Sequence, residues 1–268
     1  MSIDLYQPTK MNKKDNSDFS SKMKALNDLI QNSRNIVFFW GAWVSTESWV
    51  PDFRSKDWLY NQHDVQFDHY QPEYLLSHSC LYNEPQVFFE YYRQKLDCRG
   101  IKPNITHYKL AELEKAGKVS AVITQNIDGL HQNAWSKYVI ELHGTTQRVY
   151  CDTCNKNYNS DFLFTDKRAI PFCTCGGIVR PDVTLYEESL PSDAWNNAMQ
   201  AIAKADLFII GWTSLTVYPA NTLVQFFRWK HLVIINKDPT PQDQFAELVF
   251  HESLGKVFEK IKIEDKNK

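Results

Sequence analysis

The run IVFFWGAWVST, residues 36–46, decides the fold. Its first five residues, Ile36 to Trp40, are two β-branched and three aromatic side chains with no polar alternation. That is the pattern of a strand covered on both faces. Working outward, apolar runs of the same length and kind recur at 120–124, 138–141, 207–210 and 232–235. Helical periodicity precedes or follows most of them, at 21–31, 106–115, 194–203 and 222–228. Strands alternating with helices predict an α/β fold, a parallel sheet with helices on both faces. Residues 58–100, rich in Tyr, Gln and His and largely helical in pattern, break the alternation, as do residues 151–180, polar and cysteine-bearing. We read these two segments as insertions that pack together as a smaller domain. Residues 1–20 and 265–268 read as polar tails.

Composition narrows the function classes. The 268 residues are 43% hydrophobic and 23% charged, which excludes disorder and collagen-like repetition. The 30 Lys and Arg against 32 Asp and Glu leave a net charge of −2, so no basic field is available to hold nucleic acid. No apolar run approaches the ~18 residues of a membrane span, and the first 20 residues have no signal-peptide pattern. The expectation is a cytoplasmic protein with neither nucleic-acid nor membrane partners. Average usage would give about 19 glycines in a chain this long, yet there are 9, against 8 tryptophans.

Four of the six cysteines form two close pairs, Cys151 with Cys154 and Cys173 with Cys175. This spacing lets two turns of a small ribbon bring four thiolates tetrahedrally onto Zn²⁺. No His, Asp or Glu breaks the set of four sulfurs to leave an open position, so the expected role is structural. Gly176 and Gly177 allow the backbone to turn beneath the metal. Cys80 and Cys98 lack near partners and read as packing residues.

Three further stretches carry a family resemblance: FFWGAWVSTESWVPDFRSKDWLY (38–60), ITQNIDGLHQNAW (123–135) with ELHG (141–144), and IIGWTSLTVYPA (209–220). In this order, with the cysteine ribbon, the chain resembles the sirtuins, NAD-dependent protein lysine deacylases, from about residue 21 to about residue 263. The resemblance implies a Rossmann-like NAD domain (21–57, 101–150 and 181–264), a small zinc-ribbon and helical domain (58–100 and 151–180), and a cleft between them for NAD and an acyl-lysine peptide. It implies His143 as the base that accepts a proton from a ribose hydroxyl, a task suited to an imidazole of ordinary pKa ~6.5. Gln125, Asn126 and Asp128 correspond to residues orienting the nicotinamide ribose and carboxamide. Gly41 and Ala42, with Asp52, Phe53 and Arg54, belong to the cofactor loop. Gly211, Thr213, Ser214 and Asn236 match positions contacting phosphate and the adenosine ribose. Residues 183–186 resemble the strand that receives the substrate peptide by β-augmentation. No Tyr-x-x-Arg pair occurs in 58–78, so acetyl or another neutral acyl group is expected.

The chain departs from the family pattern at its tryptophans. Trp40 stands where the family has threonine, and Trp43, Trp49, Trp58, Trp135, Trp212 and Trp229 where it has, or a helix end would need, glycine. Glu187 also replaces a glycine common in the family. Glycine in a phosphate loop permits φ > 0 and lets backbone N–H groups approach the pyrophosphate. An indole opposes both, so the expectation is a sirtuin-fold zinc protein whose NAD binding and deacylation are abolished or severely impaired. Two rivals stand beside it: an active deacetylase with its indoles swung outward, and a non-catalytic module that binds acyl-peptides or partners.

Overall fold

The computed structural model describes residues 13–41, 43–50, 66–211, 213, 218–228 and 230–263, with backbone only for 13–17 and Trp43. Ala42, Asp52, Phe53, Arg54, Trp58, Trp212, Ser214 and Trp229 lie outside the described residues or side chains. Six strands form one parallel sheet: β1 (Ile36–Trp40), β2 (Val119–Thr124), β3 (Val139–Glu141), β7 (Leu207–Gly211), β8 (His231–Ile235) and β9 (Leu248–Phe250). Their order is β3-β2-β1-β7-β8-β9. The chain therefore builds outward from β1 in one direction and from β7 in the other, which makes the β1/β7 crevice the point where strand order reverses. In open α/β sheets ligands bind at the carboxyl ends of the strands at such a point.

Alternation within β1 separates two cores. Ile36, Phe38 and Trp40 pack with α1 (Lys13–Asn32), α6 (Ile105–Lys115) and α10 (Leu254–Phe258), while Val37 and Phe39 pack on the opposite face with α9 (Ser192–Lys204). Every residue of β1 and β7 is buried, which is why these strands read as continuous apolar runs.

A third core joins the two inserted segments. It packs Phe67, Leu75, Leu81, Phe88, Phe89 and Tyr92 against Val149, Leu163, Val179 and Leu185. Its helices are α3 (Pro72–Leu75), α4 (His78–Asn83), α5 (Pro85–Lys95) and α8 (Phe162–Thr165), and its antiparallel sheet is β5-β4-β6, from β4 (Gly144–Cys151), β5 (Asn157–Tyr158) and β6 (Val179–Val183). Gly144 turns the chain from the large sheet into this one at φ +72°, and a Cβ there would stand 2.0 Å from the Asp182 carbonyl oxygen. Only glycine fits that crossing.

Two expectations need correction. α1 begins at Lys13, eight residues before the apolar periodicity, so 13–20 are helix and not tail. Phe19 anchors the extension, edge-on to Phe250 with centroids 6.1 Å apart and with Lys256 over its ring. The helix expected over 222–228 is a 3-10 turn, Ala220–Phe226, because both the N–H and hydroxyl of Thr222 bond the Pro219 carbonyl at 2.9 and 2.8 Å. Trp40, as the run 36–40 predicted, belongs to β1, and what the structure adds is where its ring goes. It closes β1 with its side chain fully buried, stacked on Phe38 at 5.3 Å and edge-on to Phe258 at 5.6 Å.

Candidate functional site

Five strands end along one edge of the sheet, about the reversal point. After β1, Gly41 donates its N–H to the Gly211 carbonyl at 3.3 Å, so the loops leaving β1 and β7 touch at their first residues. α2 (Trp43–Thr46) follows directly. After β2 come Gln125, Asn126 and Asp128, and Gln125 donates its N–H to the Trp40 carbonyl at 3.1 Å. The turn between β3 and β4 carries His143, while Asn236 follows β8. Parallel strands thus bring five sequence-distant segments to one edge.

The imidazole of His143 contacts the Gln125 carbonyl through Nδ1 at 2.8 Å. A carbonyl only accepts, so Nδ1 carries a hydrogen, and a neutral ring held this way has its lone pair on Nε2.

Asn126 and Asp128 are both buried. Asn126 Nδ2 donates to Ser45 Oγ at 2.8 Å, and the Ser45 hydroxyl bonds the Asp128 carboxylate, which also accepts from the Leu130 N–H at 2.8 Å. Burial raises the Asp128 carboxyl above the usual carboxylate range, and the Ser45 and Leu130 hydrogen bonds oppose that rise. Ser45 is the member of this cluster that sequence reading missed. Its position in α2, just after β1, hinted at a role, but only the fold shows its hydroxyl joining that helix to the β2 loop. Asn104 is a second such residue. It caps α6 and donates through Nδ2 to the Val44 carbonyl and Ser48 Oγ at 2.8 and 2.9 Å, fixing α2 from outside.

Gln125 Nε2, Asn126 Oδ1 and Asn236 Oδ1 are buried without a hydrogen-bond partner among the described residues. An unmet buried donor and acceptor side by side is costly unless a polar ligand completes them. A donor and an acceptor left unmet are what a ligand bearing both, such as an amide with ribose hydroxyls, would complete, so the chemistry of these residues is compatible with NAD. Thr213 is buried beyond Gly211, and the Asn236 amide donates to the Asp238 carbonyl at 2.7 Å.

Backbone conformation bears on three of the substituted positions. Trp49, Trp135 and Glu187 adopt φ of 68°, 71° and 75°, the left-handed region that favours glycine. The first two indoles extend into solvent, 84% and 77% exposed.

The residues expected to receive a peptide run on from β6. Thr184 donates its N–H to the His143 carbonyl at 2.9 Å, and Tyr186 exchanges backbone hydrogen bonds with Leu76 and His78, both at 3.0 Å. This segment therefore bridges the imidazole turn and the small helical module.

The four cysteines converge as expected. Their sulfurs all lie within 4.8 Å of one another, with Cys151 to Cys175 at 3.5 Å and Cys154 to Cys173 at 3.6 Å. Sulfurs ~2.3 Å from a central zinc ion stand about 3.8 Å apart in a tetrahedron, whereas a disulfide needs about 2.05 Å. The set fits Zn²⁺. Gly176 makes the turn at φ +91°, and a Cβ on Gly177 would lie 2.7 Å from Cys151 Sγ. Cys80 is fully buried, in keeping with packing, and Cys98 lies close enough to Asp128 that this carboxylate, after burial, helps push its thiol up to about 12. Among the described residues no helix is long and apolar enough to cross a membrane.

The sequence model of the Sir2 family matches residues 41–219. The NAD-dependent protein deacetylase of Clostridium tetani (strain Massachusetts / E88) is 49% identical over 235 residues, 87% of this chain and 94% of the relative. That of Clostridium perfringens (strain 13 / Type A) is 51% identical over 243 residues, 90% and 98% respectively. A solved structure of Sir2 with a p53 peptide and NAD+ superposes with a TM-score of 0.78 at 35% identity, covering 89% of this chain and 96% of the other. With this fold, this cysteine cluster and these relatives, the chain belongs to the Sir2 family, the sirtuins.

Proposed function

We propose that this chain is built as an NAD-dependent protein lysine deacylase, acting on acetyl or another neutral acyl group, and that its cofactor step is abolished or severely impaired by indoles at the nucleotide loops. The observation that supports the lineage activity is the constellation of His143, Gln125, Asn126, Asp128 and Ser45 at the reversal point of the sheet. When bound, NAD supplies the electrophilic ribose carbon to which an acyl oxygen adds as nicotinamide leaves. Gln125 and Asn126 orient the carboxamide and ribose through their unmet amide atoms, Asp128 holds Asn126 in place through Ser45, and His143 takes a ribose proton at Nε2. Gly41, Ala42, Gly211, Thr213 and Ser214 would cradle phosphate, with Asn236 at the adenosine ribose and Asp52, Phe53 and Arg54 closing the cofactor loop. Cys151, Cys154, Cys173 and Cys175 hold zinc for structure. The separate cores of the large sheet and the inserted segments support the division into a nucleotide domain and a smaller zinc-bearing one.

The impairment rests on Trp43 and Trp212. The Gly41 and Gly211 backbones meet at the first residues of these loops, and Trp43 and Trp212 follow them in sequence where the family pattern has glycine, the residue that lets backbone N–H groups approach a diphosphate. A second reading, an active deacetylase, is favoured by the outward course of Trp49 and Trp135. Calorimetric titration with NAD decides between them, beside nicotinamide release in the presence of an acetyl-lysine peptide. No heat of binding and no release support impairment. Saturable binding with turnover on the order of 1 s⁻¹ overturns it.

A further inference from the structure

The loop that leaves β6 is held by a buried ion pair. Arg180, on β6 with its side chain 7% exposed, forks onto Glu188 with Nη1 to Oε1 at 2.6 Å and Nη2 to Oε2 at 2.9 Å. The same Nη2 donates to the Val183 carbonyl at 3.1 Å, and Glu188 Oε2 accepts from the Leu185 N–H at 2.9 Å. The pair therefore spans the segment 183–188 and fixes both of its ends. Glu187, held at φ 75° between these anchors, is pinned in turn by the Ser79 N–H on its carboxylate at 2.9 Å.

Arg180 also faces the cysteine ribbon. It is paired in register with Tyr150, one residue before Cys151. The Tyr82 hydroxyl bonds Arg180 and donates to Asp152, between Cys151 and Cys154, at 3.1 Å. A continuous chain of hydrogen bonds thus runs from the cysteine knuckle through Tyr82 and Arg180 to Glu188, and the loop it ends on touches the His143 carbonyl through Thr184.

Buried ion pairs contribute little net stability compared with apolar residues of the same size, but a bidentate guanidinium fixes geometry in a way a point charge does not. We propose that Arg180, acting through Glu188, is a positioning residue for the acyl-lysine peptide. It sets the loop 183–188 so that its remaining backbone groups can pair with an extended chain, and it couples the zinc ribbon to peptide affinity and not to nucleotide affinity. This rests on the reading that residues 183–186 receive the substrate.

The test is fluorescence anisotropy of a labelled acetyl-lysine peptide on the zinc-loaded full chain, which requires no NAD. Arg180→Lys keeps the charge and loses the fork, while the double variant Arg180→Met with Glu188→Leu removes the pair without stranding a charge. Both are expected to weaken peptide binding at least tenfold while keeping one zinc per chain, a melting temperature within a few degrees of the parent, and the parent's calorimetric response to NAD. Peptide binding within twofold of the parent in both folded variants overturns the role of Arg180 alone. A parent chain that binds no acetyl-lysine peptide overturns the peptide-site reading itself, and this inference with it.

Discussion

The indole of Trp40 lies against the Cα of Gly211: a Cβ added to this glycine would stand 1.7 Å from Cζ3 and 2.4 Å from Cε3. The two residues are register partners at the ends of β1 and β7, directly beneath the loops that leave the reversal point. The ring also buries its Nε1 without a hydrogen-bond partner among the described residues. Gly211→Ala is expected to destabilise the chain by about 3 kcal/mol, since a Cβ at that distance overlaps a fully buried indole that must shift within a packed layer. In a Trp40→Thr background the same substitution should be far milder. A double-mutant cycle from urea denaturation checks the coupling, and additive effects within about 0.5 kcal/mol would contradict the contact.

This contact also marks where sequence reading reached and where it stopped. β1 and β7 were legible because burial on both faces leaves no polar alternation to confuse the pattern, and the zinc ribbon because four thiolates need only local spacing. Trp40 was legible as the last residue of β1, but its place in the run said nothing of its contact with Gly211 across the sheet. Ser45 was missed for a related reason: a serine hydroxyl has no sequence signature, and its value lies in meeting Asn126 and Asp128 from another strand. The start of α1 was missed because residues 13–20 show no apolar stripe, and their helix is held chiefly by Phe19 at its inner end.

Trp49 and Trp135 combine left-handed backbone with solvent-exposed side chains. A left-handed conformation costs a non-glycine residue about 1–2 kcal/mol, and an exposed indole returns little of that through burial. Trp49→Gly and Trp135→Gly are each expected to raise stability by about 1 kcal/mol, seen as a higher urea midpoint at unchanged slope. Neither should alter NAD binding on its own.

The zinc prediction concerns stability more than chemistry. Cys151 is buried with its sulfur against Gly177, so Cys151→Ala should remove the metal and unpack the third core around Val149, Val179 and Leu185. One zinc per folded chain is expected by elemental analysis, with chelation lowering the melting temperature. A folded chain carrying less than half an equivalent would remove the site.

Two buried histidines set an acid limit. His107 and His131 face each other with ring centroids 4.7 Å apart, and neither His131 nitrogen nor His107 Nε2 has a hydrogen-bond partner among the described residues. Burial pushes His107 down to about 3 and His131 well below its ordinary value, with the His107 ring adding to the latter. The unfolded chain then binds protons that the folded chain refuses, so stability is full above about pH 6.5 and falls as pH drops toward 3. At pH 5 the loss should be about 2 kcal/mol for each histidine. Asp128, held above the usual carboxylate range, acts in the opposite sense at acid pH, so the clean measurement is a comparison of urea stability at pH 7.5 and pH 5 between the parent and His131→Leu. An equal loss in both would show that His131 does not carry it.

Repair of the nucleotide side is the sharpest test of the proposed function. Trp43 opens α2 and Trp212 follows Gly211, so the two belong to the loops whose first residues share the Gly41 to Gly211 hydrogen bond. If both indoles compete for one channel, either alone still excludes a diphosphate. Trp43→Gly and Trp212→Gly should then each recover little NAD binding, while the pair together recovers much more than their sum. Trp40→Thr should add to this by relaxing the layer beneath Gly211, and Trp49→Gly and Trp58→Gly complete the set. The fully reverted chain is expected to release nicotinamide in the presence of an acetyl-lysine peptide, and His143→Ala in that background should remove the release while leaving NAD binding in place, because the imidazole acts on a proton and not on the diphosphate. A reverted chain that folds, keeps its zinc and binds the acetyl-lysine peptide but gives no heat with NAD would show that the indoles were not what excluded the cofactor.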